Sequence, residues 1–301
     1  MIKSITVIND LGQSKTFELS RPDKTGFAIT NIEGLGPVKS DINMTEVSTN
    51  DGAIYNSART STRNIIIYFD FRFALDVEEA RHESYKYFPN KKPITLIIET
   101  DKRTCMAYGY VDDNDPDIFS KTVTAPISIV CPDPYLYSID KNITVFSGVE
   151  PIFEFPFSNE SLTENLLETG ILHRQTSKVV YYDGDEEIGV TISIHALGDV
   201  ENITIYNTTT REIMRIDTEK IKSLTGSGII AGDEITINTV KGNKYINLLR
   251  NGVYTNILNC LDRNANWFQL IKGDNVFAYV ADVGEEELQF SIENQIVYSG
   301  V

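Results

Sequence analysis

The sequence predicts a mainly β protein of two domains, an α+β domain over residues 1–138 followed by a β-sandwich over residues 139–301. Three observations lead to this prediction. Short runs of alternating apolar and polar residues recur along the 301-residue chain, a pattern typical of strands with one buried face. One segment of the first half, residues 76–88, has the spacing of an amphipathic helix. A break in composition follows Pro132 and Pro134.

The proposed boundary rests on a strand that two prolines end. Residues 123–131 alternate, and Pro132 and Pro134 cannot continue a ladder of backbone hydrogen bonds. We therefore interpret this strand as the last of the first domain, and Pro126 within it predicts an edge or a bulge. The charge also shifts at this point. Residues 1–138 carry 15 basic and 19 acidic side chains (−4), and residues 139–301 carry 12 and 24 (−12), which together give −16.

The first domain is predicted to be a β-sheet or split barrel with one helix. Residues 64–73 form the clearest strand, with Ile65, Ile67, Phe69, Phe71 and Phe73 on one face. In the helix, Asp76 is the expected N-cap, and Pro89 ends the segment. Further strands are predicted at residues 2–7, 15–19, 27–32, 94–99 and 104–111.

Residues 42–63 are polar and contain many small side chains, which predicts a long exposed loop or a β-arm. Loops of this length are usually functional or disordered. Arg59 and Arg63 lie at its end, and two interpretations stay open. They contact an acidic surface of a partner protein, or they are simply solvated.

The second domain contains many short strands at regular spacing, which predicts two packed sheets. Asn251-Gly252 is the strongest hairpin signal. Trp267, the one tryptophan of the chain, is interpreted as a core residue rather than a sugar-binding platform, and residues 224–228 as a loop. A short helical turn is expected at residues 161–167. Three alternating aromatic residues, assigned to the core, precede it: Phe153, Phe155 and Phe157.

The composition argues against several classes of protein. An acidic surface repels nucleic acids and anionic membranes. No apolar run approaches 18 residues, and the N-terminus leads directly into a strand without the layout of a signal peptide. Cys105, Cys131 and Cys260 are scattered and odd in number, which favours buried thiols over a zinc site or a disulfide framework. We therefore expect synthesis in a cytoplasm, no membrane insertion and no nucleic-acid binding.

Four motifs suggest chemistry, and a structural interpretation is preferred for each. Gly34 and Gly36 lack the helix that a dinucleotide loop requires. Asp113, Asp115 and Asp117 have calcium-loop spacing, but Ile118 and Thr124 replace the essential glycine and glutamate. His82 has no second ligand at metal spacing, and Ser193 with His195 lacks a nucleophile motif. We therefore predict no catalytic, cofactor-binding or metal-binding residue, no cofactor, and a protein that is not an enzyme.

A set of segments in a fixed order resembles the distal tail protein (Dit) family of long-tailed phages and prophages of Gram-positive bacteria. In the first half they are VEEARHESYKYFP (77–89), TDKR (100–103), GYV (109–111), PDIFSK (116–121) and CPDPY (131–135). In the second half they are GDEI (232–235), GNK (242–244), RNG (250–252) and WFQL (267–270). The resemblance covers most of residues 1–138 and resumes at these later segments.

The resemblance implies an N-terminal domain that closes a hexameric ring at the tip of a phage tail, and a galectin-like β-sandwich that faces outward. It also implies contacts with the tail tube protein and with the tail-associated hub or lysozyme protein, in the baseplate of a virion. A receptor-binding protein and a cell-surface glycan are further expected partners. The resulting hypothesis is a structural assembly protein that carries host-adhesion components. The alternative, based on the sandwich alone, is a carbohydrate-binding module or host-surface adhesin.

Overall fold

The computed structural model of the chain describes residues 1–46, 51–117, 124–151 and 170–301. These residues form two compact units. Unit 1 contains Met1–Asp140 together with Val297–Val301, and unit 2 contains Lys141–Ile296. The predictions for Phe153, Phe155 and Phe157 and for residues 161–167 lie outside the described residues.

Unit 1 is mostly β-structure with one α-helix among its described residues. Its elements are β1 Ile2–Ile8, β2 Ser14–Glu18, β3 Ala28–Glu33, β4 Ser40–Glu46, β5 Ala53–Thr60, β6 Arg63–Asp70, α1 Val77–Tyr87, β7 Pro93–Thr100, β8 Thr104–Asn114, β9 Thr124–Cys131 and the start of β10 Leu136–Val145. The strands pair in the order β2-β1-β7-β8-β9-β6-β3, and all of these pairs are antiparallel. This sheet with its one helix matches the predicted α+β domain.

The inner face of this sheet and α1 enclose one apolar core. Five phenylalanines form its centre, with ring centroids 4.9–6.2 Å apart. They are Phe17, Phe27, Phe69, Phe71 and Phe88. The helix begins as predicted, because the carboxylate of Asp76 accepts hydrogen bonds from the backbone N–H groups of Glu78 and Glu79. It buries Ala80 and Ser84 against the core.

Two details of the predicted sheet are wrong. Phe73 is exposed, because β6 ends at Asp70 and the chain turns before Phe73. The strand β9 is not an outer strand, since it pairs with both β6 and β8. Pro126 lies opposite Tyr68 of β6, whereas the pairing with β8 reaches only Ile127. The proline is therefore tolerated where one side of the strand is open, as a residue without a backbone N–H requires.

Unit 2 is also mostly β-structure, with one α-helix in its described part. Its elements are the end of β10, β11 Ser147–Pro151, β12 Gly170–Arg174, β13 Ser177–Tyr182, β14 Ile188–Gly189, β15 Thr191–Ala196, β16 Glu201–Asn207, β17 Glu212–Arg215, α2 Thr218–Thr225, β18 Glu234–Asn238, β19 Tyr245–Arg250, β20 Val253–Asn256, β21 Gln269–Leu270, β22 Gly273–Val283 and most of β23 Leu288–Tyr298.

Two sheets of unit 2 pack face to face, as the sequence predicts. One has the order β23-β15-β18-β19-β20 and the other the order β13-β22-β16-β17. Tyr279 of the second sheet stacks on Phe290 of the first, with ring centroids 4.8 Å apart. The hairpin at Asn251 and Gly252 is confirmed, because both residues have positive φ and Arg250 pairs with Val253.

The helix α2 was not predicted from the sequence, and it includes residues 224 and 225 of the predicted loop 224–228, whereas residues 226–228 are irregular as predicted. Asp217 caps its N-terminus, and Gly226, with φ of +88°, ends it in the left-handed region. Only Thr218 and Ile221 of α2 are buried. Neither of the two helices in the described parts of the chain has the length and apolarity needed to cross a membrane.

Candidate assembly surface

The strands β4 and β5 form a two-stranded antiparallel hairpin, here called the arm. Neither strand pairs with any other described strand. Gly52, the residue before β5, has a φ of +91°, which a residue without Cβ adopts readily. Of the two structures predicted for residues 42–63, the β-arm is confirmed.

Every residue of β4 and β5 is exposed, including four large apolar side chains. Ile42, Met44, Ile54 and Tyr55 are 56–63% exposed. A hairpin of two strands is at best marginally stable in water by itself, and its open edges offer unpaired backbone groups to other chains. The arm thus combines exposed apolar side chains with open strand edges, as expected of a segment that packs against another molecule.

Arg63, the first residue of β6, is buried rather than exposed, with 1% of its surface accessible. Its guanidinium donates hydrogen bonds to four backbone carbonyls: Pro134 at 2.7 Å, Gly34 at 2.5 Å, Gly36 at 2.8 Å and Ser299 at 2.7 Å. Burial lowers the pKa of Arg63 from its ordinary value. Arg63 is therefore neither solvated nor able to contact a partner surface, so both interpretations of this residue are wrong.

Arg59 of the arm is exposed, so both interpretations given for it, contact with a partner protein and simple solvation, stay open. Its side chain is 83% exposed and lies 3.4 Å from a carboxylate oxygen of Asp41 on the facing strand. An exposed pair of this kind contributes little to stability, about 0–1 kcal/mol. The two arginines are four positions apart in sequence, but Arg59 is exposed to solvent and Arg63 is buried and hydrogen-bonded.

The Gly34–Gly36 segment supplies two carbonyl acceptors to the guanidinium of Arg63. Gly34 has a φ of +83°, and a Cβ atom there would lie 1.9 Å from the carbonyl oxygen of Asn64. Only glycine allows this close approach, which brings two carbonyl groups onto the guanidinium. The preferred interpretation as a structural loop is confirmed.

A second apolar feature of unit 1, here called the tyrosine patch, lies on the outer face of its sheet. Tyr108 and Tyr110 of β8 project from the same face and are 53% and 50% exposed. With Pro93 and Pro132, which are also exposed, they line a depression of about 470 Å³. Adjacent exposed aromatic side chains are typical of protein interfaces.

Ser193 and His195 lie on the outer face of β15, as predicted. His195 is directly opposite Glu234 of β18 and Gln289 of β23. Within the described residues, no hydrogen bond joins Ser193 to His195, and Nδ1 of His195 is buried without a partner. A serine nucleophile requires a hydrogen-bonded base held by a third group. The arrangement does not supply one.

The three cysteines are free thiols and all are buried. Burial raises the pKa of Cys105 and of Cys131 to about 11, and it also raises the pKa of Cys260. Since the thiolate is the reactive form, these side chains are inert near neutral pH. Across the residues that the structure describes, no group of three or more His, Cys, Asp or Glu side chains is placed to hold a metal ion.

Three further predicted positions are now located. His82 is exposed on α1, in agreement with its interpretation as a surface residue. Asp113, Asp115 and Asp117 are exposed at and beyond the end of β8. Trp267 is only half-buried, with the Lys244 ammonium 5.1 Å from its ring, so its assignment to the core is wrong, whereas the neighbouring Phe268 is fully buried.

Comparison with known proteins identifies the fold. No protein-family model and no curated protein matches the chain. Among solved structures, the chain is similar to the Dit protein (gp 19.1) of phage SPP1, described as a paradigm of the hub adsorption apparatus in phages that infect Gram-positive bacteria. The TM-score is 0.64 at 12% sequence identity, over 97% of this chain and 98% of the SPP1 protein.

Chains of the phage p2 baseplate in its activated conformation also align with nearly the whole sequence. The structure with Sr has a TM-score of 0.48 at 11% identity, over 97% of both chains. The structure with Ca has a TM-score of 0.47 at 12% identity, over 98% of both chains. The match to SPP1 Dit shows that the chain has a mainly β fold like that protein's, and the predicted resemblance to the Dit family is confirmed as a likeness of fold.

Proposed function

We propose that this chain is a structural protein of a phage tail tip, or baseplate, and that it assembles as a hexameric ring. The observation that carries the proposal is the likeness to SPP1 Dit, which extends over almost the full length of both chains. A ring requires complementary surfaces on each copy and needs no catalytic site. Unit 1, together with its arm and tyrosine patch, is the proposed ring-forming domain.

The proposed ring contact is the arm of one copy packed on the tyrosine patch of the next copy. Two different surfaces of the same chain that fit one another give a head-to-tail contact, and such contacts form a ring when the rotation between neighbouring copies closes, here at six copies. Both surfaces expose large apolar side chains: Met44 and Tyr55, which are direct cross-strand partners and share one face of the arm, and Tyr108 and Tyr110 on the patch. Their burial against one another would remove apolar surface from water, which favours association.

Unit 2 is proposed to be the outward, galectin-like sandwich of this assembly. In that arrangement the ring joins the tail tube protein to the tail-associated hub or lysozyme protein, and the sandwich carries host-adhesion components such as a receptor-binding protein. The proposal places the protein in the virion tail after synthesis in the host cytoplasm. It assigns the chain no enzymatic activity of its own.

The oligomeric state tests this proposal. Stable interfaces in obligate assemblies bury on the order of 2,000 Å² or more, so rings are expected at micromolar concentration. Native mass spectrometry of the full chain should give six times the protomer mass of 33.8 kDa. A chain that stays monomeric, both alone and with its tail-associated hub protein, would overturn the proposal.

A further inference from the structure

We propose that the outer face of β18, β15 and β23 in unit 2 carries a binding site for a neutral saccharide unit. These three neighbouring strands present a shallow depression of about 340 Å³, with Val145 at its side. Its polar lining consists of six side chains: Ser193, His195, Glu234, Thr236, Gln289 and Ser291.

The strand register arranges these six side chains as a regular grid. One row across the strands is Glu234, His195 and Gln289, and the next is Thr236, Ser193 and Ser291. Members of a row are direct partners on adjacent strands, and the rows are two residues apart, so that all six side chains lie on one face. From the spacings of strands and residues, the grid covers roughly 7 Å by 10 Å, which is the size of a single sugar unit.

None of the six side chains makes a side-chain hydrogen bond to another residue in the part of the chain that the structure describes. Their donors and acceptors are therefore available to a ligand. For His195, Nδ1 is buried without a partner, so Nε2 is the ring nitrogen that remains accessible. Three hydroxyl groups, one amide, one imidazole and one carboxylate together offer both donors and acceptors, which is what the alternating hydroxyls of a sugar require.

Charge selects neutral sugars over anionic ones. Glu234 is the only carboxylate among the lining residues, and neither lysine nor arginine is among them. Residues 139–301 carry a net charge of −12. A phosphate or carboxylate on the ligand would therefore be repelled and would find no cation to pair with. The exposed side chain of Val145 gives an apolar wall for the C–H face of the sugar.

The inference extends the proposed function, and its role in adhesion rests on that function, but the site lies wholly in unit 2 and does not depend on ring contacts. Saturation-transfer difference NMR on the full chain tests it directly. The probes are glucose, galactose, rhamnose and N-acetylglucosamine, with galactose 6-phosphate as an anionic comparison. We expect saturation transfer to at least one neutral sugar, and weaker or absent transfer to the sugar phosphate.

Two variants and a matched control assign the binding to the grid. Glu234→Ala and Gln289→Ala each remove a ligand contact. The loss of the charged Glu234 contact is expected to weaken binding about tenfold, and the loss of the neutral Gln289 contact about threefold. Glu201→Ala is the control, because Glu201 is also an exposed strand glutamate but lies on β16 of the opposite sheet. It should bind as the unchanged protein does.

Three results would overturn the inference: no saturation transfer to any neutral sugar at millimolar concentration, equal binding by Glu234→Ala and the unchanged protein, or tighter binding of galactose 6-phosphate than of galactose. The oligomeric state of the same samples separates the two proposals. A ring that binds no sugar overturns the saccharide site alone, and a monomer that binds sugar overturns the ring alone.

Discussion

At the scale of single residues, Arg63 connects three separate parts of the sequence. Its four acceptors belong to the loop at Gly34 and Gly36, to Pro134 after β9, and to Ser299 near the end of the chain. A buried cation is costly unless its donors are satisfied, and here four carbonyl groups satisfy them. Because Arg63 is the first residue of β6, these bonds also fix the point where the arm leaves the sheet.

Replacement of Arg63 by methionine should destabilise unit 1 by about 2–4 kcal/mol. Methionine has a similar length but no donor, so Pro134, Gly34, Gly36 and Ser299 lose hydrogen-bond partners at a buried position. The loss of the desolvation cost of the cation offsets only part of this. Urea unfolding followed by far-UV circular dichroism measures the change in the free energy of unfolding.

Arg59→Met provides the matched control for that experiment. Arg59 is 83% exposed and has one exposed ionic partner, so its replacement should change the free energy of unfolding by no more than about 0.5 kcal/mol. Equal unfolding midpoints for the two variants would show that the Arg63 bonds contribute nothing to stability.

The role of Arg63 is not visible in the local sequence. An arginine in a polar, serine- and threonine-rich stretch is normally exposed, and its acceptors lie 27–236 positions away. By contrast, the capping of α1 by Asp76 depends on neighbours two and three positions away, which is why the sequence predicts it correctly. The exposure of Trp267 also depends on packing with residues distant in sequence, and its predicted position in the core was wrong.

At the scale of secondary-structure elements, the arm is the clearest sign of an assembly role. The strands that build the two cores have strong period-two patterns, and the sequence predicts most of them. The arm has no such pattern because neither of its faces is buried by the chain itself. The sequence therefore indicated a long exposed segment but left its structure open between a loop and a hairpin.

The helix α2 was missed for a related reason. It is eight residues long and buries only Thr218 and Ile221, so its apolar stripe is too short to recognise by periodicity. Its signals are at its ends, where Asp217 and Gly226 have the residue types expected of an N-cap and of a left-handed C-terminal residue. The helix α2 could therefore have been predicted from these two capping residues.

The proposed contact between the arm and the tyrosine patch makes a sharp prediction for mixed variants. Met44→Ser with Tyr55→Ser removes the facing apolar pair from the contact face of the arm, and Tyr108→Ser with Tyr110→Ser removes the apolar side chains of the patch. Each double variant alone should be monomeric. Since one copy of each kind together retains one intact arm and one intact patch, an equimolar mixture should form dimers and no rings.

Native mass spectrometry at equal protomer concentrations measures these states. Val179→Ser with Tyr181→Ser is the matched control, because both are exposed residues of β13 in unit 2 and should leave ring formation unchanged. All of the replaced side chains are exposed, so the free energy of unfolding should change by about 0.5 kcal/mol or less. Complete rings from either the arm or the patch variant would contradict the proposed contact.

At the scale of the whole molecule, the chain returns to its first unit at its end. Val297–Val301 belong to unit 1, although the preceding 156 residues form unit 2. The change of unit at Asp140 lies two residues after the boundary expected from charge and prolines, whereas nothing in the sequence indicates the return. Five residues are too few to show a periodic pattern, and the hydrogen-bond partners Arg63, Arg103 and Leu35 of the last three residues precede them by 197 positions or more.

Several contacts tie this C-terminal segment, Val297–Val301, to unit 1. The Ser299 carbonyl accepts from Arg63, the Arg103 guanidinium lies 4.6 Å from the ring of Tyr298, and the N–H of Val301 donates to the Leu35 carbonyl. The side chain of Val297 is buried. Because these contacts join the C-terminal segment to Leu35, Arg63 and Arg103, the stability of the proposed ring domain should depend on residues that lie beyond the sandwich in sequence.

Removal of residues 297–301 should therefore destabilise unit 1 and prevent ring formation, although no residue of the arm or the tyrosine patch is changed. The deletion takes away one acceptor of Arg63 and the buried Val297, a loss of about 2–4 kcal/mol. Limited proteolysis measures the effect, since sites in residues 1–140 should be cut faster. The fluorescence of Trp267, which lies in unit 2, should keep its native emission.

A shorter deletion of Gly300 and Val301 keeps Ser299 and Val297 and should have a much smaller effect on cleavage. Equal cleavage rates for the full chain and the five-residue deletion would show that unit 1 does not depend on its C-terminal segment.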